Sequence, residues 1–306
     1  MPTLWQQNLS GVSNRWLSPA LWSDCPRDLI IAGWADGFRD GDDFKFGMAG
    51  EDAADDTATV PSYDRYIHTS NTIRITSVTE TNYFGSVALI TDATDNDGPV
   101  LHRVVSLNAA GSNVTAPYVI SDTAGSAFPL WFEGRYKVSS VTDDIISHFF
   151  GLASGILDTR AADNGVLEDD TGALVDSVAF LGFGVQHTNG GTTGANAALD
   201  FCYQDSAATT PVIHTAALAT LVADTYFKVG FKFLPQADAS QRITIYYNGI
   251  PVTSSYVTAA QIAAATFPDG DMMGFVVGSK NGTAGASTLT CDWWECVQLY
   301  APAVYD

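Results

Sequence analysis

The sequence predicts an all-β fold, an antiparallel β-sandwich, and three observations predict it. Four stretches alternate apolar and polar residues: WFEGRYKV from Trp131, YFKVGFKF from Tyr226, ITIYYNG from Ile243 and CDWWECVQLY from Cys291. That alternation marks a strand with one buried and one wet face. About a dozen such segments are separated by loops of Gly, Asn, Asp and Thr, which suits antiparallel strands rather than βαβ units. The composition agrees, with 27 Gly, many Thr and Val, and few long helical runs.

Along the chain, residues 1–40 differ from the rest. They hold Trp5, Trp16, Trp22 and Trp34, four of the seven tryptophans, together with Pro19 and Pro26. Scattered aromatics and prolines without period-two alternation predict an extended arm that packs on something, either its own domain or a neighbouring subunit. Residues 41–306 are read as one sandwich domain. The acidic stretches DGDDFKFG and EDAADD, between 40 and 65, read as loop or solvated edge.

Strand segments follow: NTIRITSVT from Asn71, SVALIT (86–91), HRVVSL (102–107), 130–138, IISHFFGLA (145–153), VAFLGFGVQ (178–186), LDFCYQ (199–204), 226–233, 242–247, MGFVVG (273–278) and 290–300. In 226–233, Phe227, Val229, Phe231 and Phe233 share one face, and Lys228 and Lys232 lie on the other. Asn248-Gly249 predicts a tight hairpin turn. Two short helices are expected: TAAQIAAA (258–265), begun by a Thr258 cap, and AALATLV (216–222).

Charge excludes some functions. The chain carries 34 acids against 14 bases, a formal net charge of -20. Phosphate backbones and anionic membrane surfaces repel such a chain, so neither nucleic acid nor membrane is an expected partner. No run approaches the ~20 apolar residues of a membrane span. The first residues lack the basic start and apolar run of a secretory signal, which predicts synthesis in a cytoplasm.

Motifs for chemistry are weak. Cys25, Cys202, Cys291 and Cys296 do not show zinc spacing and read as free thiols. Cys291 and Cys296, on one strand, would lie ~16 Å apart, beyond the ~7 Å reach of a disulfide. DATDNDG, from Asp92, lacks the EF-hand order and reads as an Asx-rich loop. His68, His102, His148, His187 and His214 show no metal-ligand spacing, and no G-x-S-x-G surrounds a serine. The Gly clusters GTTGAN (191–196) and NGTAG (281–285) lack the Lys and helix of a phosphate loop. No cofactor and no metal site are expected.

Glycoside hydrolysis needs two carboxylates ~5 Å apart on one face. The spacing argues against it. Glu168, Asp169 and Asp170 are adjacent in a loop, Glu133 stands alone, and Asp292 and Glu295 are three apart, so they point to opposite faces of a regular strand. Tyr246-Tyr247 and Trp293-Trp294 each place one ring outward, either to stack on sugar or to pack beneath another layer.

Taken together, RWLSPALWSDCPRDLI (15–30), DDFKFG (42–47), WFEGRYKV, YFKVGFKF, ITIYYNGIPV, the TAAQ helix and DWWECVQLY resemble a group of tailed-bacteriophage virion proteins with a concanavalin A-like lectin/glucanase jelly roll. The resemblance implies a non-enzymatic capsid decoration or cement protein on the outer shell of the virion. Its implied partners are the major capsid protein and further copies of itself, with a trimer as the simplest assembly and a glycan as a further possible ligand. Trp5, Trp16, Trp22 and Trp34 are then the candidate contacts to shell or protomer.

Overall fold

The computed structural model describes residues 17–26, 37–42, 51–52, 64–67, 74–78, 86–91, 98–103, 106–107, 114–115, 117–123, 127–142, 147–154, 167, 178–185, 198–208, 210–280 and 286–300. In chain order the elements begin with a short helix, α1 (Pro19–Trp22), then β1 (Gly37–Asp42), β2 (Glu51–Asp52), β3 (Asp64–Ile67), β4 (Arg74–Val78) and β5 (Ser86–Ile90). Next come β6 (Pro99–His102), β7 (Ser106–Leu107), β8 (Val114–Thr115), β9 (Tyr118–Val119), β10 (Leu130–Val138), β11 (Ser147–Ala153) and β12 (Phe180–Val185). The chain continues with β13 (Ala198–Gln204), β14 (Val212–Thr220), β15 (Phe227–Phe233), β16 (Ile243–Tyr247) and β17 (Ile250–Val257). It closes with α2 (Ala259–Ile262), β18 (Met272–Lys280) and β19 (Thr288–Leu299).

These strands make the antiparallel jelly-roll sandwich that the alternation predicts. Sheet 1 runs β17-β16-β15-β10-β19-β5-β4-β2, with β1 also on β19. Sheet 2 runs β14-β13-β12-β11-β18-β6-β3, with β9 also on β18. Alternate residues of each sheet face inward and share one core, including Phe132, Phe231, Cys296 and Trp294 from sheet 1 and Phe150, Phe183, Phe201 and Phe275 from sheet 2. Phe275 stacks on Trp294 across the sandwich, with ring centroids 4.1 Å apart and planes 2° from parallel. Stacked and edge-on aromatic pairs add to simple area burial.

Local chemistry behaves as read. Asn248 and Gly249 both take positive φ, 49° and 76°, as a two-residue hairpin turn requires. Thr258 caps α2 through a capping box with Gln261. All four cysteines are free thiols. Phe227, Val229, Phe231 and Phe233 lie in the shared core, opposite Lys228 and Lys232.

Two expectations fail. AALATLV is not a helix, because residues up to Thr220 belong to β14 and pair with β13. Ladder pairing overrides the helical preference of Ala and Leu. The pairing is irregular there, with register shifts around Phe201 and a positive φ of 51° at Ala217. Asp292 and Glu295 do not point to opposite faces either. The register of β10 on β19 steps from Arg135↔Trp293 to Tyr136↔Cys291, which leaves Asp292 as the extra residue of a bulge. Cys291 and Trp294 therefore both face the core, and Asp292, Trp293 and Glu295 fall on the outer side.

Within the arm, residues 17–26 are described and lie on sheet 1. Sheet pairing starts at Gly37, where β1 joins β19. Trp5, Trp16 and Trp34 lie outside the described residues, as do His68, His187, Glu168, Asp169, Asp170, the DATDNDG acids Asp92, Asp95 and Asp97, and both Gly clusters.

Candidate functional site

The outer face of sheet 1 carries the largest concentration of polar chemistry among the described residues. Alternation brings Trp131, Glu133 and Arg135 of β10, Lys228 and Lys232 of β15, and Glu295 and Val297 of β19 to this side. Residues 17–26 lie over it. Leu21 packs with Trp131, Tyr246, Val297 and Leu299, and Leu17 packs on Trp293, with Trp22 touching both groups.

Two glycines make room for this close approach. A Cβ at Gly230 would lie 2.6 Å from Leu21 Cδ1, and one at Gly249 would lie 2.5 Å from Ser18 Oγ. Both distances are far inside van der Waals contact, so a side chain at either position would push the arm off the sheet.

Glu133 is the anchor. It is 1% exposed. Oε2 accepts from the Ser18 backbone N–H at 2.9 Å and from Trp22 Nε1 at 2.8 Å. Oε1 accepts from the Ser18 hydroxyl. Ser18 stands at the N-cap of α1 but makes no side-chain cap bond there; its hydroxyl is turned to Glu133 instead. Lys228 Nζ donates to Ser18 Oγ at 2.6 Å and lies 3.7 Å from Glu133 Oε1. Burial raises the Glu133 pKa, against the lowering pull of the Ser18 hydroxyl, Lys228, the Ser18 N–H and Trp22.

A second clasp lies beside it. Asp24 accepts from Trp131 Nε1 at 2.9 Å and from Lys232 Nζ at 3.0 Å. Burial works to lower the Lys232 pKa, and the contacts with Asp24 and Tyr246 outweigh it and raise the value. Tyr246 OH donates to the Ala20 carbonyl at 3.3 Å. Arg135 bonds Asp292 and lies over the Tyr226 ring, 3.9 Å from its centroid.

The sequence reading left Glu133 alone; the register does not. Glu133 pairs directly with Glu295 on the neighbouring strand, and both are buried on the same side. Directly opposite residues have Cβ atoms ~5 Å apart. This placement meets the first geometric demand of a two-carboxylate site. The second demand, access to a free carboxylate oxygen, is not met at Glu133, whose two oxygens take three donors from the arm. Its period-two pattern and the lone-acid reading gave no sign of this, because α1 and Glu295 are brought in from more than a hundred residues away.

Of the aromatic pairs, Trp294 and Tyr247 pack toward the shared core, whereas Trp293 and Tyr246 face outward and are covered by the arm. The outward rings pack beneath another layer, and that layer is the protein's own. Among the described residues no group of three His, Cys, Asp or Glu could hold a metal.

A serine–histidine pair occurs where the edges of the two sheets meet. Ser255 Oγ of β17 lies 3.2 Å from His214 Nε2 of β14, and Gln261 Nε2 lies 3.3 Å from His214 Nδ1. Gln261 Oε1 is committed to the Thr258 N–H at 2.9 Å and the Thr258 hydroxyl at 3.1 Å. The capping box thus turns the amide so that its NH2 donates to Nδ1. The histidine proton then sits on Nε2 and is donated to Ser255. In that tautomer His214 cannot take a proton from Ser255, so the trio joins the two sheets and does not activate a nucleophile.

No family model matches the chain, and no curated protein matches it in sequence. Among solved structures it is similar to a Bacteroides ovatus mixed-linkage glucan GH16 protein in complex with its product, at 9% identity and TM-score 0.47, covering 80% of this chain and 98% of that one. It is also similar to the Emp47p carbohydrate recognition domain, at 9% identity and TM-score 0.44, covering 82% and 96%. A third likeness is to the CBM2 module of the evolved Dit of Lactobacillus casei BL23 phage J-1, at 10% identity and TM-score 0.41, covering 87% and 99%.

Proposed function

We propose that this chain is a non-enzymatic structural protein of a tailed-phage particle, a head decoration or cement protein on the outer shell. The observation that supports it is the sealed face of sheet 1. The acid best placed for chemistry, Glu133, has both oxygens committed to the arm, so its role is to hold a surface in shape. The charge of -20 suits a surface turned away from packaged DNA. The particle assignment itself rests on the sequence resemblance. Gold-labelled antibody on purified particles should mark the head, and purified protein should bind expanded empty shells. Label confined to tails, or absent from particles, would refute the assignment.

A second reading is glycan binding. The covered face carries Trp131, Tyr246 and Trp293 beside Lys228, Glu133 and Lys232, a set of flat rings and hydrogen-bonding groups of the kind that grips sugars once exposed. Calorimetric titration of a polysaccharide panel into the wild type and into Ser18→Ala, which loosens the arm, tests it. Saturable binding strengthened by the substitution supports it, and no binding by either protein removes it.

A further inference from the structure

The two sides of the sandwich end differently. On one side the terminal strands are β2 and β3, whose sequences ED and DRYI are rich in charge. On the other side they are β14 and β17. Their nine and eight residues, VIHTAALAT and IPVTSSYV, include no Asp, Glu, Lys or Arg, in a chain that is 16% charged overall.

These two edges form one wall. Thr215 Oγ1 of β14 bonds Ser255 Oγ of β17, and the His214–Gln261 contact ties α2 to the same seam. The wall presents large apolar side chains to solvent: Ile213 is 39% exposed and Ile250 is 69% exposed. Ala216, Ala217, Thr253 and Ser254 are exposed around them. The carboxylate nearest this edge along the ladder, Asp200 of β13, is turned to the Ala217 N–H at 2.7 Å.

We propose that this wall docks a second copy of the chain, forming a two-fold dimer. Two molecules of charge -20 repel each other, and an uncharged surface is where they can meet at least electrostatic cost. A two-fold axis sets the same patch against itself, so uncharged meets uncharged. A ring of three would need a second, different patch, and the opposite side of the sandwich offers strands rich in charge instead. Unpaired edge strands also present backbone groups that a copy can satisfy. The irregularity at Ala217 interrupts β14 and confines regular pairing to Val212–Ala216, which stops open-ended strand addition. A nine-residue strand is ~30 Å long, so the wall covers on the order of 600 Å2 per copy. That lies below the ~800 Å2 per partner of a standard stable interface and fits a micromolar dimer. This inference does not depend on the particle assignment.

The test is sedimentation equilibrium on the full chain from about 1 to 100 µM. The wild type should pass from monomer to dimer across that range. Ile213→Glu and Ile250→Glu add charge at exposed positions, so each should keep its melting temperature and raise the dissociation constant at least tenfold. Met272→Glu, at a residue 51% exposed outside both strands, should leave the dimer intact. A wild type that stays monomeric, a trimeric mass, dimers unaffected by both wall substitutions, or equal loss on Met272→Glu would each overturn the proposal.

Discussion

The outer faces of the two sheets are both covered, by opposite kinds of interaction. Over sheet 1 the arm is held by a buried carboxylate, two lysines and two indole N–H groups, with Leu21 filling the space above Gly230. Over sheet 2 the buried set is Val100, Phe149, Ala153, Leu167, Val178, Phe180, Cys202 and Val276, nearly all hydrocarbon. Phe149 and Phe180 meet edge to face at 5.5 Å. A polar clasp is directional and can be undone one bond at a time. An apolar cover has no single bond to break and is lost only when the face itself is unpacked. Sheet 1 therefore carries the removable layer, and sheet 2 the permanent one.

The largest expected effect tests the permanent layer. Phe149→Ala removes a fully buried ring and should cost about 3–5 kcal/mol, read as a lower denaturant midpoint for the whole domain. A cost below about 1 kcal/mol, or loss of structure confined to one segment, would put sheet 2's cover in the same class as the arm.

Acid sharpens the contrast next. Burial lowers the pKa of His102, on the outer face of sheet 2, to about 4 against an opposing effect of the Ala153 backbone, and burial lowers that of His148, on the inner face, to about 3. Unfolded histidine titrates near 6.5, so below that pH the unfolded chain binds more protons and stability falls. At pH 5 each histidine contributes a loss of about 2 kcal/mol. Glu133 has the opposite sign: its pKa is raised in the folded protein, so protonation favours the arm-covered state as pH falls through that value. Guanidinium titrations at pH 7 and pH 5 should show the midpoint fall, with His148→Leu removing part of the dependence. An unchanged midpoint would contradict the burial of neutral imidazoles.

The clasp itself comes third. Glu133→Ala leaves the Ser18 and Trp22 donors without their acceptor and should cost about 2–3 kcal/mol, whereas Glu133→Gln keeps an acceptor and should cost about 1 kcal/mol. Hydrogen exchange should locate the change in residues 17–26, with sheet 2 still protected. Equal costs for the two substitutions would show that shape, and not the carboxylate's acceptors, holds the arm. The smallest effect is Ser18→Ala, about 1 kcal/mol, detected as faster exchange at the Ser18 and Trp22 N–H groups. No change there would leave Lys228 and Trp22 as sufficient anchors.

Much of the sandwich was legible because its signals are local. Phe227 through Phe233 show their faces by period two, Asn248-Gly249 shows its turn by backbone preference, and Thr258 with Gln261 shows its cap at a spacing of three. β14 was misread because Ala and Leu favour a helix in isolation, while β13 supplied a partner ladder. The carboxylate site was hidden for a different reason. Reading Asp292 and Glu295 as opposite assumes a regular strand, and a single bulge residue reverses that inference. Reading Glu133 as alone ignores cross-strand neighbours, which no spacing along one strand can reveal.

By itself the sequence determined which segments become strands, which of their residues seek the interior, and that the chain repels nucleic acid. Those properties follow from the alternation of side chains and from summed charge. Only the tertiary structure decided that Glu133 meets Glu295 and Ser18, that His214 takes its proton on Nε2, and that the two uncharged edges lie side by side. Each of these joins elements whose pairing is set by register and bulges, and a one-residue slip in register exchanges the faces that the alternation alone would assign.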